Sequence, residues 1–128
     1  VVESDTPVLV IIEGLTMYLS ETAVKRIFAV IAGRFPQATV LVETMNPMVV
    51  KRFKERSIEG SNAKFTWGVK DGRTLVALLP DFRFVEEHCL TEGMAEFVPI
   101  YRLLGRIPLV RNISNRIVVL DRTAGGKE

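Results

Sequence analysis

The sequence predicts an α/β fold whose strands are mostly parallel, because two apolar runs are separated by one segment with helical periodicity. The runs are Val8–Ile12 and residues 39–44, both rich in β-branched residues. Such runs are typical of strands that are buried on both faces, as in parallel sheets. Strand, helix and strand together form a βαβ unit, whose crossover is almost always right-handed and makes the two strands parallel.

The first helix is predicted to begin after Ser20, which is a suitable N-cap, with Glu21 complementing the helix dipole in the first turn. Gly33 and Pro36 are expected to end this helix. Its apolar face follows the i, i+3, i+4, i+7 spacing and consists of Val24, Ile27, Phe28 and Ile31.

A second helix is predicted after the second strand, with Asn46 as its cap and Pro47 at its first position. Further along, Asp71-Gly72 allows either a hairpin turn or the start of a short helix. We favour the helix, because the apolar residues that follow have helical spacing and Pro80 terminates the run. Those apolar residues are Leu75, Val76, Leu78 and Leu79.

The last part of the chain predicts two strands with helical segments between them. Alternation over residues 82–87 predicts a strand with one exposed face, and residues 117–122 predict the closing strand. Residues 95–104 predict a helix that is broken at Pro99, and Pro108 is expected to begin a further short helix or turn.

Length and composition indicate one ordered domain. A chain of 128 residues has the size of a single domain, residues 1–128, and we expect a flexible tail at residues 123–128. Hydrophobic residues make up 48% and charged residues 25%, which argues against an intrinsically disordered chain. The chain begins with Val1 and its first strand follows almost at once, so we expect a fragment of a longer protein.

Charge and cysteine content exclude several classes of function. The net charge of +2 comes from interspersed charges, so no nucleic-acid partner is expected. The longest apolar run, Val8–Ile12, is far shorter than the roughly 20 residues that span a bilayer, so no membrane is expected. With the single Cys89 and a single histidine, the chain has no internal disulfide and no Cys/His zinc site, and we expect no metal and a cytoplasmic location.

The segment Glu-Gly-Leu-Thr-Met-Tyr-Leu, residues 13–19, directly follows the first predicted strand. In open α/β sheets, ligands bind outside the carboxyl ends of the strands. Gly14 allows a tight turn there, Glu13 offers acceptors to a hydroxyl or ammonium group, and Tyr18 offers a flat apolar wall with a polar tip. The sequence therefore predicts a ligand site at this turn.

An apolar strand, then Glu-Gly-Leu-x-Met-Tyr-Leu, then a Ser-capped helix resembles the leucine carboxyl methyltransferase family and, more closely, its bacterial branch of polyketide O-methyltransferases. Further blocks match in order and rough spacing. They are Arg-Phe-Pro at residues 34–36, Phe-Thr-Trp-Gly-Val-Lys-Asp-Gly at residues 65–72, and the closing apolar strand. The resemblance covers nearly the whole chain, from about residue 7 to residue 122.

The resemblance implies a Rossmann-like class I S-adenosylmethionine-dependent methyltransferase fold, a seven-stranded sheet with one antiparallel strand near an edge. This chain would supply only the late strands, the fourth to the seventh, as a mixed parallel sheet. Residues 83–87 and 117–122 would form its antiparallel edge pair. The family's glycine-rich turn after the first strand and the acidic residue that ends the second are missing. We therefore expect the carboxyl-terminal half of such an enzyme, inactive by itself and binding S-adenosylmethionine weakly or not at all.

The resemblance also implies site residues. We expect Glu13, Gly14, Met17 and Tyr18 to contact the cofactor in the intact protein, with Glu13 near its methionine part. The alternative for Glu13 is a strand-end carboxylate that caps nearby main-chain groups, and the alternative for Met17 and Tyr18 is that they only pack.

Three residues are predicted to bind the methyl acceptor, a small-molecule hydroxyl or carboxylate. They are Glu43, Asn46 and Trp67. The alternatives are that Glu43 only ends a strand, that Asn46 only caps a helix and that Trp67 is a core or edge anchor. No catalytic residue is assigned, because methyl transfer asks the protein mainly for in-line positioning.

Two hypotheses follow. In the first, the chain is the carboxyl-terminal part of an O-methyltransferase. In the second, it is a non-enzymatic half-domain that assembles with itself or with a partner chain. Both predict an unpaired apolar strand at Val8–Ile12, and we expect a homodimer, the missing amino-terminal half or a second chain to cover it. A free-standing ligand-binding module is a third hypothesis, and the lack of a phosphate-binding glycine loop argues against nucleotides as its ligands.

Overall fold

The computed structural model describes residues 6–53, 64–89 and 115–123. Within these ranges it confirms an α/β fold with a four-stranded mixed sheet. The strands are β1 (Val8–Ile12), β2 (Ala38–Thr44), β3 (Phe82–Cys89) and β4 (Arg116–Arg122), and the helices are α1 (Glu21–Arg34), α2 (Pro47–Phe53) and α3 (Gly72–Ala77). A 3₁₀ turn, Thr16–Tyr18, follows β1. The helix predicted at residues 95–104, the turn at Pro108 and all but the first residue of the tail predicted at residues 123–128 lie outside the described residues. That first residue, Thr123, is buried.

The strands are arranged in the order β1-β2-β4-β3. β1 pairs with β2 in parallel, which confirms the predicted βαβ unit, and β4 runs antiparallel to both β2 and β3. The predicted antiparallel pair of late strands is therefore present. Three strands run in one direction, so β1, β2 and β3 all end at one edge of the sheet, where β4 begins. We call this edge, marked by Ile12, Thr44, Cys89 and Arg116, the carboxyl edge.

Helix α1 forms as its sequence predicts and packs on one face of the sheet. The Ser20 hydroxyl accepts a hydrogen bond from the amide of Ala23 at 3.1 Å, and the helix ends at Arg34, one residue after Gly33. Phe28 is almost fully buried and meets the Phe82 ring edge-on, with centroids 5.2 Å apart. Full burial of a side chain of this size contributes roughly 1.5–3 kcal/mol, so this face anchors the helix.

The choice of a helix over a hairpin after Asp71 is confirmed by α3. The Asp71 carboxylate accepts hydrogen bonds from the Thr74 amide at 2.8 Å and from the Thr74 hydroxyl at 2.7 Å, as an N-cap does. Leu75 and Leu79 then enter the main core. The hairpin alternative fails because the apolar spacing of this segment fits one helical face and not alternate faces of a strand.

The prediction that β1 is buried on both faces is wrong. Leu9 is 59% exposed and Ile11 is 58% exposed, whereas the other face of the strand packs into the core. A strand is buried on both faces only where both are covered. Helix α1 lies against one face, and nothing in the described ranges covers the other. β2, which lies between β1 and β4, alternates between fully buried and half-buried positions.

A second, smaller core lies beneath the carboxyl edge. Met17, Met45 and Val50 are buried there, and Tyr18, Val49 and Phe65 pack around them. This cluster joins the 3₁₀ turn after β1 to the start of α2. Across residues 6–53, 64–89 and 115–123, none of the helices combines the length and apolar character that crossing a bilayer requires.

Candidate functional site

The turn that follows β1 depends on Gly14. Its φ of +59° lies in the left-handed region, which side chains other than glycine rarely adopt. The space beside it is open, since a Cβ built there would meet no atom within 4 Å. The Gly14 amide donates a hydrogen bond of 2.8 Å to Oε1 of Glu43, at the end of β2. The turn is thus held at the carboxyl edge, where the sequence predicts a ligand site.

Glu43 connects three strands at this edge. Its second carboxylate oxygen accepts a hydrogen bond of 2.8 Å from the side-chain amide of Asn115, just before β4. Its main-chain carbonyl accepts one of 2.8 Å from the Thr16 hydroxyl. The sequence predicts Glu43 as an acceptor-binding residue with a strand-end role as the alternative. The contacts observed are structural, and acceptor binding by Glu43 stays a prediction.

The four predicted cofactor residues lie in two different environments. Glu13 is exposed, and no described residue donates a hydrogen bond to its carboxylate. Met17 is only 3% exposed, and Tyr18 is half-buried with its ring 5.3 Å from that of Phe65. Glu13 and Gly14 are therefore open to a ligand, whereas Met17 and Tyr18 pack as the alternative expected. Cofactor contact by any of them stays a prediction.

The segment around Thr66 is hydrogen-bonded to the 3₁₀ turn that follows β1. The Thr66 amide donates to the Met17 carbonyl at 2.7 Å, and its hydroxyl donates to the Leu19 carbonyl at 3.0 Å. The Val69 amide donates to the carbonyl of Met45 at 2.9 Å. This segment belongs to the block that carries the family resemblance, so two of the matching blocks are in direct contact.

Trp67, predicted as an acceptor-binding residue, is 9% exposed and belongs to the main core. Its indole N–H lies 3.4 Å from a carboxylate oxygen of Glu21, at the start of α1. This position fits the core-anchor alternative weighed from the sequence. Acceptor binding by Trp67 also stays a prediction.

A cavity of about 550 Å³ opens at the carboxyl edge, and Asn46 contributes to its wall. The Asn46 side chain also caps α2, since its Oδ1 accepts a hydrogen bond of 2.8 Å from the Met48 amide. The described lining is formed by Asn46, Pro47, Met48, Lys70, Asp71 and Arg116. Sequence reasoning missed the last three. For Arg116 the available signal was the direction of the closing strand, because an antiparallel strand begins where its parallel neighbours end.

Charges around this cavity are arranged in pairs. Arg116 donates to the Glu87 carboxylate at 3.2 Å, and the same carboxylate oxygen accepts the Gly72 amide at 3.2 Å. The hydrogen bonds from Thr74 hold the pKa of Asp71 below its usual value, and the charges of Lys70 and Arg116 act in the same direction. The rim therefore carries an ionised carboxylate beside two cations at neutral pH.

Two other observations bear on the chemistry of this edge. His88, near the end of β3, is exposed and its Nε2 lies 3.6 Å from a carboxylate oxygen of Glu86. Across the described ranges, no three His, Cys, Asp or Glu side chains come together in a way that could hold a metal ion.

Comparison with known proteins finds a relative of this chain. Over 107 residues the chain is 26% identical to the tetracenomycin polyketide synthesis O-methyltransferase TcmP of Streptomyces glaucescens. The chain is similar to a polyketide O-methyltransferase. This similarity confirms the resemblance found in the sequence motifs. The match takes in 81% of the chain but 40% of the relative, so the chain spans about two-fifths of the length of the relative it matches. No family model and no solved structure matches.

Proposed function

We propose that this chain is the carboxyl-terminal portion of an S-adenosylmethionine-dependent O-methyltransferase that acts on a small-molecule hydroxyl or carboxylate. The observation that carries the proposal is the similarity to a polyketide O-methyltransferase over 107 residues. The sheet supports it, because three strands run in one direction and one opposed strand lies next to an edge. This arrangement is the one expected of the fourth to seventh strands of a class I methyltransferase.

The turn after β1 fits a role in holding the cofactor. The Glu13 carboxylate is exposed at the carboxyl edge and suits an ammonium group, such as the one on the methionine part of the cofactor. Gly14 leaves open space beside it, so the main chain can approach a ligand closely. Bound S-adenosylmethionine would supply a methyl group already activated by the sulfonium. The task of the chain's own residues is then to bind and orient.

The cavity beside Asn46 is the proposed acceptor site. It lies at the same edge as the Glu13 turn, and its walls combine apolar Pro47 and Met48 with the charged Lys70 and Arg116. Ligand pockets commonly combine apolar walls with a few placed polar groups. Holding the acceptor nucleophile in line with the methyl group is positioning catalysis, which needs no covalent step on the protein.

We further propose that β1 pairs with a polypeptide segment beyond the described residues, either the missing amino-terminal half or a second chain. The support is the exposed face of Leu9 and Ile11 on a strand with β2 as its one neighbour in the described sheet. Alone, the chain is expected to bind the cofactor weakly and to be inactive. The same exposed face favours the alternative function, a non-enzymatic half-domain that self-associates.

Residue-resolved NMR with S-adenosylhomocysteine, the product form of the cofactor, tests the proposal. An isotope-labelled sample of the whole chain is titrated to millimolar concentrations, with adenosine as the matched control. We expect S-adenosylhomocysteine to shift the amide resonances of Glu13 and Gly14. Adenosine should leave both unchanged, because it lacks the amino-acid part that Glu13 is proposed to contact.

Each outcome has a distinct meaning. Shifts confined to residues 13–18 support the methyltransferase portion. No shift at these residues, in a chain that remains folded, leaves the self-associating half-domain as the better account. Equal shifts with adenosine would contradict the proposed role of Glu13.

A further inference from the structure

We infer that Glu43 is a positioning residue whose carboxylate fixes the Glu13-Gly14 turn for the cofactor. The inference rests on the proposed function, since the cofactor is what the turn would be positioned for. It gives Glu43 a different task from the acceptor contact that the sequence predicts.

Both oxygens of the Glu43 carboxylate are engaged by groups on either side of β2. Oε1 accepts the Gly14 amide and Oε2 accepts the side-chain amide of Asn115, each at 2.8 Å. Hydrogen bonds to an ionised acceptor are shorter and roughly twice as strong as neutral ones. One half-buried side chain therefore joins the turn after β1 to the start of β4.

The sheet register explains why Glu43 reaches this turn. Ile12, the last residue of β1, pairs with Val42, so Glu43 lies beside the first residue after the strand. On its other side Glu43 pairs with Ile117 of β4, which brings Asn115 close. The contact thus follows from three strands that meet at one edge, and residues 29 positions apart in the chain are joined by it.

The turn needs this support. Gly14 lies in the left-handed region in an exposed segment, and glycine loses more conformational freedom on ordering than any other residue. Without the Glu43 carboxylate, the Gly14 amide would be satisfied by water in many orientations. The direction in which Glu13 presents its carboxylate would then no longer be fixed, and the ligand would have to order the turn itself.

NMR of the whole chain tests the inference without any ligand. In Glu43→Ala we expect the Gly14 amide proton to move upfield and its hydrogen exchange to accelerate by about tenfold or more, as loss of a charge-assisted hydrogen bond implies. Glu43→Gln should retain much of the protection, because its side-chain oxygen can still accept from Gly14. Asn115→Ala, which removes only the second anchor, should have an intermediate effect and is informative even where Glu43→Ala does not fold.

Glu87→Ala is the matched control. Glu87 also bridges a glycine amide, that of Gly72, to another residue, but at the start of α3. It should change the Gly72 amide and leave the Gly14 amide as it is in the wild type. An unchanged Gly14 amide in folded Glu43→Ala would overturn the inference.

The affinity for S-adenosylhomocysteine provides the second readout. We expect Glu43→Ala to weaken binding by about tenfold or more and Glu43→Gln to weaken it much less, since the conservative variant keeps the turn. Equal binding by Glu43→Ala and wild type would overturn the positioning role. A wild-type chain that does not respond to S-adenosylhomocysteine would overturn the proposed function and, with it, the positioning of the turn for the cofactor. The amide readout distinguishes this outcome, because it tests the Glu43 contact with the turn without any ligand.

Discussion

The glycines of this chain differ in whether close packing of the main chain requires them. A Cβ on Gly72 would stand 2.5 Å from the Phe84 ring and 2.9 Å from a methyl group of Val118, so the main chain of α3 must pass close to the sheet. A Cβ on Gly68 would likewise overlap the Met45 carbonyl oxygen. At Gly33, by contrast, the surrounding space is open. Close approach of the main chain to neighbouring atoms therefore requires glycine at positions 72 and 68. At position 33 only the helix propensity of the residue affects stability.

The pair Gly72→Ala and Gly33→Ala tests this distinction. We expect Gly72→Ala to lower the free energy of unfolding by about 1–3 kcal/mol, the usual cost of overpacking a dense core. Gly33→Ala should raise it by up to about 1 kcal/mol, because alanine is the better residue inside a helix. Urea unfolding of both variants measures the difference. A Gly72→Ala variant with unchanged stability would show that the core beside α3 is not densely packed.

Single residues also mark the limit of what the sequence predicts. The turn at Gly14 is foreseeable, because a glycine directly follows a strand-forming run. The bond from Gly14 to Glu43 is not, since it depends on the register of two strands far apart in the chain. For the same reason the sequence places Glu43 at the ligand and does not show that both its oxygens are already engaged.

The helices show how far local signals extend. Ser20 and Asp71 both cap helices, and both are identifiable from the sequence because capping involves residues only three positions apart. The face of β1 that bears Leu9 and Ile11 is different. Whether it is covered depends on what packs there, and a run of apolar residues carries no information on that.

The caps of α3 and α1 differ in their response to pH. Each cap replaced by alanine should cost about 1 kcal/mol at neutral pH. The pKa of Asp71 is lowered in the folded chain from an ordinary value of 3.8, so its contribution is present above that value and is lost as the pH falls through the folded-state pKa. The difference between wild type and Asp71→Ala should therefore shrink below about pH 4.

Ser20→Ala is the control for this titration, because a hydroxyl cap does not ionise. Its difference from the wild type should stay constant over the same pH range. Denaturant unfolding at a series of pH values measures both. A constant difference for Asp71→Ala would contradict the ionised cap.

At the scale of the molecule, the described part of the chain exposes an apolar surface at β1. Leu9 and Ile11 stand more than half exposed on a strand that pairs with β2 on one side. Exposed apolar edges of this kind promote pairing between chains. The isolated chain is therefore expected to self-associate through β1.

The double variant Leu9→Lys/Ile11→Lys tests this surface. Lysine on an edge strand opposes pairing, so we expect the variant to be monomeric where the wild type is dimeric. Its stability should change by no more than about 0.5 kcal/mol, because both side chains are largely exposed. Val85→Lys, at a 43% exposed position on β3, is the matched control and should leave association unchanged. Sedimentation velocity measures the outcome, and a wild-type monomer would contradict the expectation.

We would first titrate the chain with S-adenosylhomocysteine, because this asks whether the turn after β1 forms the part of a cofactor site that we propose for it. We expect amide shifts that are largest at Glu13 and Gly14 and absent with adenosine. A folded chain whose resonances at residues 13–18 do not respond at millimolar ligand would contradict the proposed cofactor site.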